Sequence, residues 1–164
     1  AEKFNIKLSQ KVIDIQEIQS ESIKDIAKDK AEKAFEMIKK PLIVSDSGWE
    51  IPALNGFPGA YMHYINEWFS AEDFLNLMRG KKNKTIILNS VVCAAVNGEF
   101  KLFEEKFKGS FINKIEGEGV SSDQVVKMEG SEYTVAKNQN LSKKTFNMSK
   151  IWNKVFNWLN NGRN

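Results

Sequence analysis

The sequence predicts an α/β or α+β domain, with a mixed central β-sheet flanked by helices. Three observations predict it. Apolar residues recur at helical spacing near both ends of the chain, around residues 23–38 and 148–159. Between them lie β-branched runs, Leu42-Ile43-Val44 and Thr85 to Val96, of the kind found in buried strands. Asn97-Gly98 follows the longer run directly, and this dipeptide suits the left-handed conformations of a tight hairpin.

The elements follow in order. Asn5 to Ile15 mixes alternating and β-branched apolar residues and reads as one strand or two short ones. Ser20 or Ser22 can cap a helix carrying Ile23, Ile26, Ala27, Ala31, Ala34, Phe35 and Ile38, with Pro41 beyond its end. Leu42-Ile43-Val44 then reads as a buried strand running into a turn at Asp46-Ser47-Gly48. A second helix is predicted from Ser70, with Asp73 as capping partner, Phe74, Leu75 and Met78 inside and Gly80 as stop. Glu99 to Phe107 returns from the hairpin, and Phe111 to Ile115 and Gln124 to Met128 are further strands. Met148, Ile151, Trp152, Val155, Phe156 and Leu159 mark one face of a closing helix. No linker, repeat or low-complexity block interrupts the 164 residues, which read as one domain over 1–160 and a tail over 161–164.

Composition narrows the function classes. Hydrophobic residues at 41% and charged residues at 27% describe a globular chain rather than a disordered one. No apolar stretch approaches the ~20 residues of a membrane span, and one cysteine, Cys93, cannot close an internal disulfide. The expectation is a soluble, cytoplasmic protein with no membrane partner. Of 24 basic residues only Arg79 and Arg163 are arginine, so bidentate recognition of phosphate or guanine is nearly unavailable, and no nucleic-acid partner is expected.

Two places can carry chemistry. Asp46, after an apolar run and before a small hydroxyl residue and glycine, stands where α/β folds place ligands. There it can hold a divalent cation or orient water, or it can satisfy backbone N–H groups of a turn; spacing alone leaves the two level. Asp14, Glu17 and Glu21 precede the first helix, where the helix dipole favours carboxylates in any case. Lys24, Lys28 and Lys30 read as a solvated face. His63, the only histidine, lies among aromatics and has no evident catalytic partner, so it reads as structural or interfacial.

Ser45-Asp46-Ser47-Gly48-Trp49-Glu50-Ile51-Pro52-Ala53-Leu54-Asn55-Gly56-Phe57-Pro58-Gly59-Ala60-Tyr61 resembles the signature of the inosine triphosphate pyrophosphatase family, EDSGLxVxALxGxPGxYS. Glu17-Ile18-Gln19-Ser20, the stretch Ile26 to Ala31, and Phe107-Lys108-Gly109 to Gly117-Glu118-Gly119 are similar to further family segments. The resemblance implies a two-lobed domain with a cleft, and hydrolysis of ITP, dITP or XTP to the monophosphate and pyrophosphate with Mg²⁺. It implies Glu17 and Asp46 as metal ligands, with Asp46 also catalytic. Lys30, Ser47, Gly48, Asp123 and Asn147 would bind the purine nucleoside triphosphate. It also implies a homodimer near the aromatic stretch from Tyr61 to Phe69.

The sequence departs from the family pattern in four places. The family pattern opens with a strand and a TGNxxK-like phosphate loop, which is not among these 164 residues. Ser45 stands for the first acid of the ED pair, and GFGYD appears as Gly119-Val120-Ser121-Ser122-Asp123. The base-reading SHR is expected near Thr145 to Met148, where neither His nor Arg occurs, so discrimination between ITP and ATP is expected to be weak. The readings that follow are a divergent nucleoside triphosphate diphosphatase, a catalytically silent nucleotide-binding or dimerisation module, or a piece of a longer active chain.

Overall fold

The structure is a computed structural model that describes residues 4–143 and 147–161. In chain order it contains α1 (Ile23–Ile38), β1 (Leu42–Glu50), β2 (Pro58–Gly59), α2 (Met62–Trp68), α3 (Ala71–Leu77), β3 (Thr85–Val96), β4 (Glu99–Phe111), β5 (Val126–Met128), α4 (Val135–Asn140) and α5 (Ser149–Asn161). The strands form one five-stranded sheet in the order β2-β1-β3-β4-β5. The β1/β2 pairing is antiparallel with Trp49 opposite Gly59, and β4/β5 is antiparallel with Ser110 opposite Lys127. This is the mixed α/β class expected from the sequence.

Two compact units divide the chain. The first comprises residues 1–46, 90–105 and 148–164; the second comprises 47–89 and 106–147. In the first, Val92, Ala94 and Val96 of β3 pack with Ile151, Val155, Phe156 and Leu159 of α5, and Ile6 joins them. The α5 stripe is therefore core, as its period predicts. Ser22 caps α1 by accepting from the Asp25 N–H, and Ile23, Ile26, Ala27, Ala31 and Ala34 are buried along one face. The β3–β4 turn holds Asn97 at φ 53° and Gly98 at φ 80°, the left-handed pair that the dipeptide promises.

In the second unit Trp49, Ile51, Phe74, Met78, Ile86, Leu88, Phe111, Val125 and Val126 share a core. Ser70 and Asp73 close a reciprocal capping box at the start of α3, with Ser70 Oγ accepting from the Asp73 N–H at 3.2 Å.

Several expectations need correction. Residues 6–20 contain no strand: Leu8 and Val12 are exposed, and of the five apolar residues expected to line a strand only Ile6 is buried. Without one buried face there is nothing to set a pairing register. Ile6, Ile13 and Ile15 instead line a cavity of about 570 Å³ together with Ala34, Leu42 and Val44. Leu42, Ile43 and Val44 are half-buried rather than buried, and β1 does not turn at Asp46-Ser47-Gly48 but runs on to Glu50. Burial of Trp49 and Ile51 in the second core keeps the chain extended past glycine. β4 continues to Phe111, so no separate strand spans 111–115. Helices α2 and α4 were not anticipated; Thr134 caps α4 by accepting from the Lys137 N–H, a signal present in the sequence. Asn161 belongs to α5 rather than to a tail, and 162–164 lie outside the described residues.

Gly117 has φ +83°, and a Cβ there would lie 2.4 Å from the backbone nitrogen of Lys137. Gly130 has φ +77° but open space around it. Gly130→Ala should therefore cost about 1–2 kcal/mol, the left-handed penalty alone. Gly117→Ala should cost clearly more in urea unfolding, because backbone on both sides must shift.

Candidate functional site

Within the first unit, Lys30 on α1 reaches two carboxylates at once. Its Nζ donates to Asp46 Oδ2 at 2.8 Å and forms an ion pair with Glu17 Oε2. Lys30 and Asp46 are mostly buried, while Glu17 is about half-exposed. Burial opposes charge on Lys30, but hydrogen bonds and attraction from Asp46 and Glu17 outweigh it and raise the ammonium above its ordinary 10.5. Lys30 therefore stays protonated throughout the physiological range.

The local structure explains this convergence. Lys30 is at the centre of a capped sixteen-residue helix, so its stem is fixed by the burial of Ala27, Ala31 and Ala34. Asp46 is held by the extended backbone of β1. Glu17 lies on irregular chain before α1, and Lys33 donates to the carbonyl of Gln16 at 2.9 Å, tethering that chain to the helix. Lys33 also pairs with Asp29 at 2.7 Å. The helix-dipole account of Glu17 is thus superseded by a direct contact with Lys30. Likewise Asp46 bonds a lysine side chain from within a strand rather than from a turn. Lys30 is not part of a solvated face, although Lys24 and Lys28 do pair with Glu104 and Glu32 on more open surface.

Of the remaining expected residues, Ser47 is exposed and Gly48 buried, both inside β1 directly after Asp46. Asp123 belongs to the second unit, in a short 3₁₀ turn spanning Ser122–Gln124. Burial pushes its carboxyl up to about 6, against the pull of a hydrogen bond that Gln139 Nε2 donates at 3.4 Å. Asn147 is exposed; Thr145 and Phe146 lie outside the described residues. His63 is largely exposed on α2, 3.2 Å from Glu67 Oε1.

Sequence reasoning missed the Asp123–Gln139 contact and a row of Glu50, Asn89 and Lys106. Asn89 Nδ2 donates to Glu50 Oε1 at 3.0 Å, and Lys106 Nζ donates to Glu50 Oε2 at 3.0 Å. The available signal was a polar Asn89-Ser90 pair inside the largely apolar run of β3.

Fold and geometry together define a mixed α/β protein whose strand β1 and helix α1 gather two carboxylates about one cation. Relatives share this chain's sequence well beyond residues 45–61. The model of the Ham1 family matches residues 1–150. A dITP/XTP pyrophosphatase of Methanopyrus kandleri is 33% identical over 136 residues, covering 82% of this chain and 72% of that protein. A dITP/XTP pyrophosphatase of Korarchaeum cryptofilum is 31% identical over 122 residues, covering 74% of this chain and 66% of that protein. The structure of the Staphylococcus aureus Ham1 protein is similar in fold, with a TM-score of 0.74 at 24% identity over 90% of this chain and 80% of that one. The chain belongs to the Ham1 family.

The Lys30 contacts lead to a pH test. A lysine whose folded pKa is raised contributes stability that is complete below the unfolded value and is lost as pH rises through the folded one. From neutral pH to about pH 10, wild type should exceed Lys30→Met in unfolding free energy by a constant margin, and the margin should shrink above it. A margin that grows with alkalinity would refute the ion-pair assignment.

Proposed function

We propose that this chain is a nucleoside triphosphate diphosphatase that converts non-standard purine nucleoside triphosphates to the monophosphate and pyrophosphate. The observation that carries the reading is the pair of carboxylates, Glu17 and Asp46, held about the single ammonium of Lys30. The names of the M. kandleri and K. cryptofilum relatives, dITP/XTP pyrophosphatases, support the substrate class. No observation favours the silent-module alternative.

The donor set fits a divalent ion of the Mg²⁺ kind. Two hard carboxylate oxygens already flank one cationic atom, and both groups retain some exposure. Among the described residues no group of three or more His, Cys, Asp or Glu could hold a metal. The protein would therefore supply Glu17 and Asp46, and water and phosphate oxygens would supply the rest, as is usual for this ion. When bound, such an ion neutralises phosphate charge and helps generate the attacking hydroxide.

The chain's own residues supply the remaining functions. Asp46, fixed on a strand, orients the attacking water and accepts from it. Lys30, protonated at all relevant pH, attracts the triphosphate and can exchange its carboxylate contacts for phosphate oxygens. Exposed Ser47 offers a hydroxyl, and Gly48 leaves no side chain to bar a close approach. Asp123 and Asn147 would contribute on the nucleoside side.

Self-association belongs to the same reading. On α2, Met62 and Ile65 face the core, whereas Tyr64, Trp68 and, just before the helix, Tyr61 are exposed. The rings of Tyr64 and Trp68 lie 5.9 Å apart, a preformed aromatic surface suited to a second copy. The single buried thiol of Cys93, raised to about 11 by burial, suits a reducing cytoplasm.

Two measurements follow. Pyrophosphate release with Mg²⁺ should occur with ITP and XTP, ATP should bind within about tenfold of ITP (~1.4 kcal/mol), and Asp46→Asn should lower kcat by 100-fold or more (about 2.7 kcal/mol). Retention of most activity by Asp46→Asn would remove Asp46 from the chemistry. Light scattering should report a dimer at micromolar concentration, reduced to monomer by Trp68→Glu; a monomeric wild type rejects the interface.

A further inference from the structure

Within the first unit, the two carboxylates proposed to hold a divalent ion already share a cation of the protein's own. Lys30 Nζ is paired with Glu17 Oε2 and, at 2.8 Å, with Asp46 Oδ2. Two carboxylates and one ammonium leave a single negative charge on the cluster, whereas the carboxylates by themselves would carry two. The pull on a divalent ion grows with that charge, so Lys30 opposes the ion even where the two do not touch the same oxygen. Neighbouring lysines do not alter the balance: Lys33 pairs with Asp29, and Lys28 with Glu32. The Lys30 ammonium is also able to leave. It ends a flexible four-carbon stem rooted in α1, and its side chain is a quarter exposed rather than sealed in.

We infer that Lys30 is a resident counter-ion that guards Glu17 and Asp46: it competes with a free divalent ion for the two carboxylates and yields them when a triphosphate draws its ammonium away. The inference rests on the proposed nucleotide activity and adds an order of events to it. A free ion meets carboxylates that are already half neutralised and binds weakly. Phosphate oxygens offer the ammonium an equally charged set of acceptors, so it can exchange partners without losing its ion pairs. By linkage, whatever takes Lys30 from the carboxylates raises their affinity for the ion, and the ion in turn favours whatever holds Lys30. Charge and architecture make opposite demands here. Glu17 lies on irregular chain and Lys30 is one of its tethers, so a purely structural lysine would assemble the carboxylates and strengthen metal binding. A counter-ion weakens it.

The experiment titrates Mg²⁺ alone, at neutral pH and without nucleotide, into wild type, Lys30→Met and the double variant Lys30→Met with Asp46→Asn. Calorimetry reads the affinity, and each protein is first checked for a cooperative melt. Methionine keeps the apolar stem and removes the charge. Lys30→Met should bind Mg²⁺ at least tenfold more tightly than wild type, and the double variant should lose that gain. In pyrophosphate release from ITP at saturating Mg²⁺, the same Lys30→Met should lose kcat/KM by about 100-fold or more, because the triphosphate has lost its ammonium. Equal or weaker Mg²⁺ binding by folded Lys30→Met overturns the inference, since Lys30 would then build the site rather than guard it. Tighter binding that persists in the double variant also overturns it, by placing the ion elsewhere. Turnover of ITP by wild type with no gain in Mg²⁺ affinity on losing Lys30 rejects the counter-ion role alone. The gain in affinity without turnover of any triphosphate by wild type upholds the competition and rejects the diphosphatase activity.

Discussion

Two carboxylates that converge without a cation repel one another, and the site in the first unit depends on removing that repulsion. The ammonium of Lys30 does so from the middle of α1, with its stem fixed by the alanine-rich buried face of the helix. The consequence is reciprocal. Asp46 and Glu17 keep Lys30 charged despite burial, and Lys30 holds the irregular chain around Glu17 against the helix. Lys33, one turn further along α1, adds a second tether at Gln16. A segment with no secondary structure of its own is thereby positioned by a helix face rather than by a sheet.

That arrangement explains which parts of the fold were legible in the sequence. Where local chemistry and burial agree, as in the Ser22 cap, the Ser70–Asp73 capping box, the Asn97-Gly98 turn and the α5 stripe, the elements follow directly from residue types. Residues 5–15 carry a strand-like pattern but lack a partner strand and a common buried face. Pairing is a tertiary property, so periodicity alone misled there. The opposite error occurred at Asp46-Ser47-Gly48: small residues suggested a turn, yet the burial of Trp49 and Ile51 further along demands extended backbone. Helix α2 was hidden because its aromatics drew the reading to a surface, whereas its core contacts come from Met62 and Ile65.

The site was legible to a different extent. Glu17, Lys30 and Asp46 are separated by 13 and 16 positions in sequence, and no local periodicity links them; the family resemblance brought them together on paper. From residue types alone, Glu17 is explained equally well by a helix dipole and Lys30 by a solvated face. Only the mutual contacts decide between these accounts. Asp123 shows the same limit, because its raised pKa depends on burial that a sequence does not display.

Neither histidine nor arginine occurs from Thr145 to Met148, which bears on what the proposed activity could select. Direct polar contacts to a base reject a wrong partner strongly, because mismatch strands a buried donor or acceptor, whereas phosphate contacts are common to every triphosphate. With lysines supplying nearly all the positive charge, phosphate attraction acts through point charges that carry little shape information. On the proposed activity, selectivity would then rest on neutral polar groups that burial makes costly to leave unpaired.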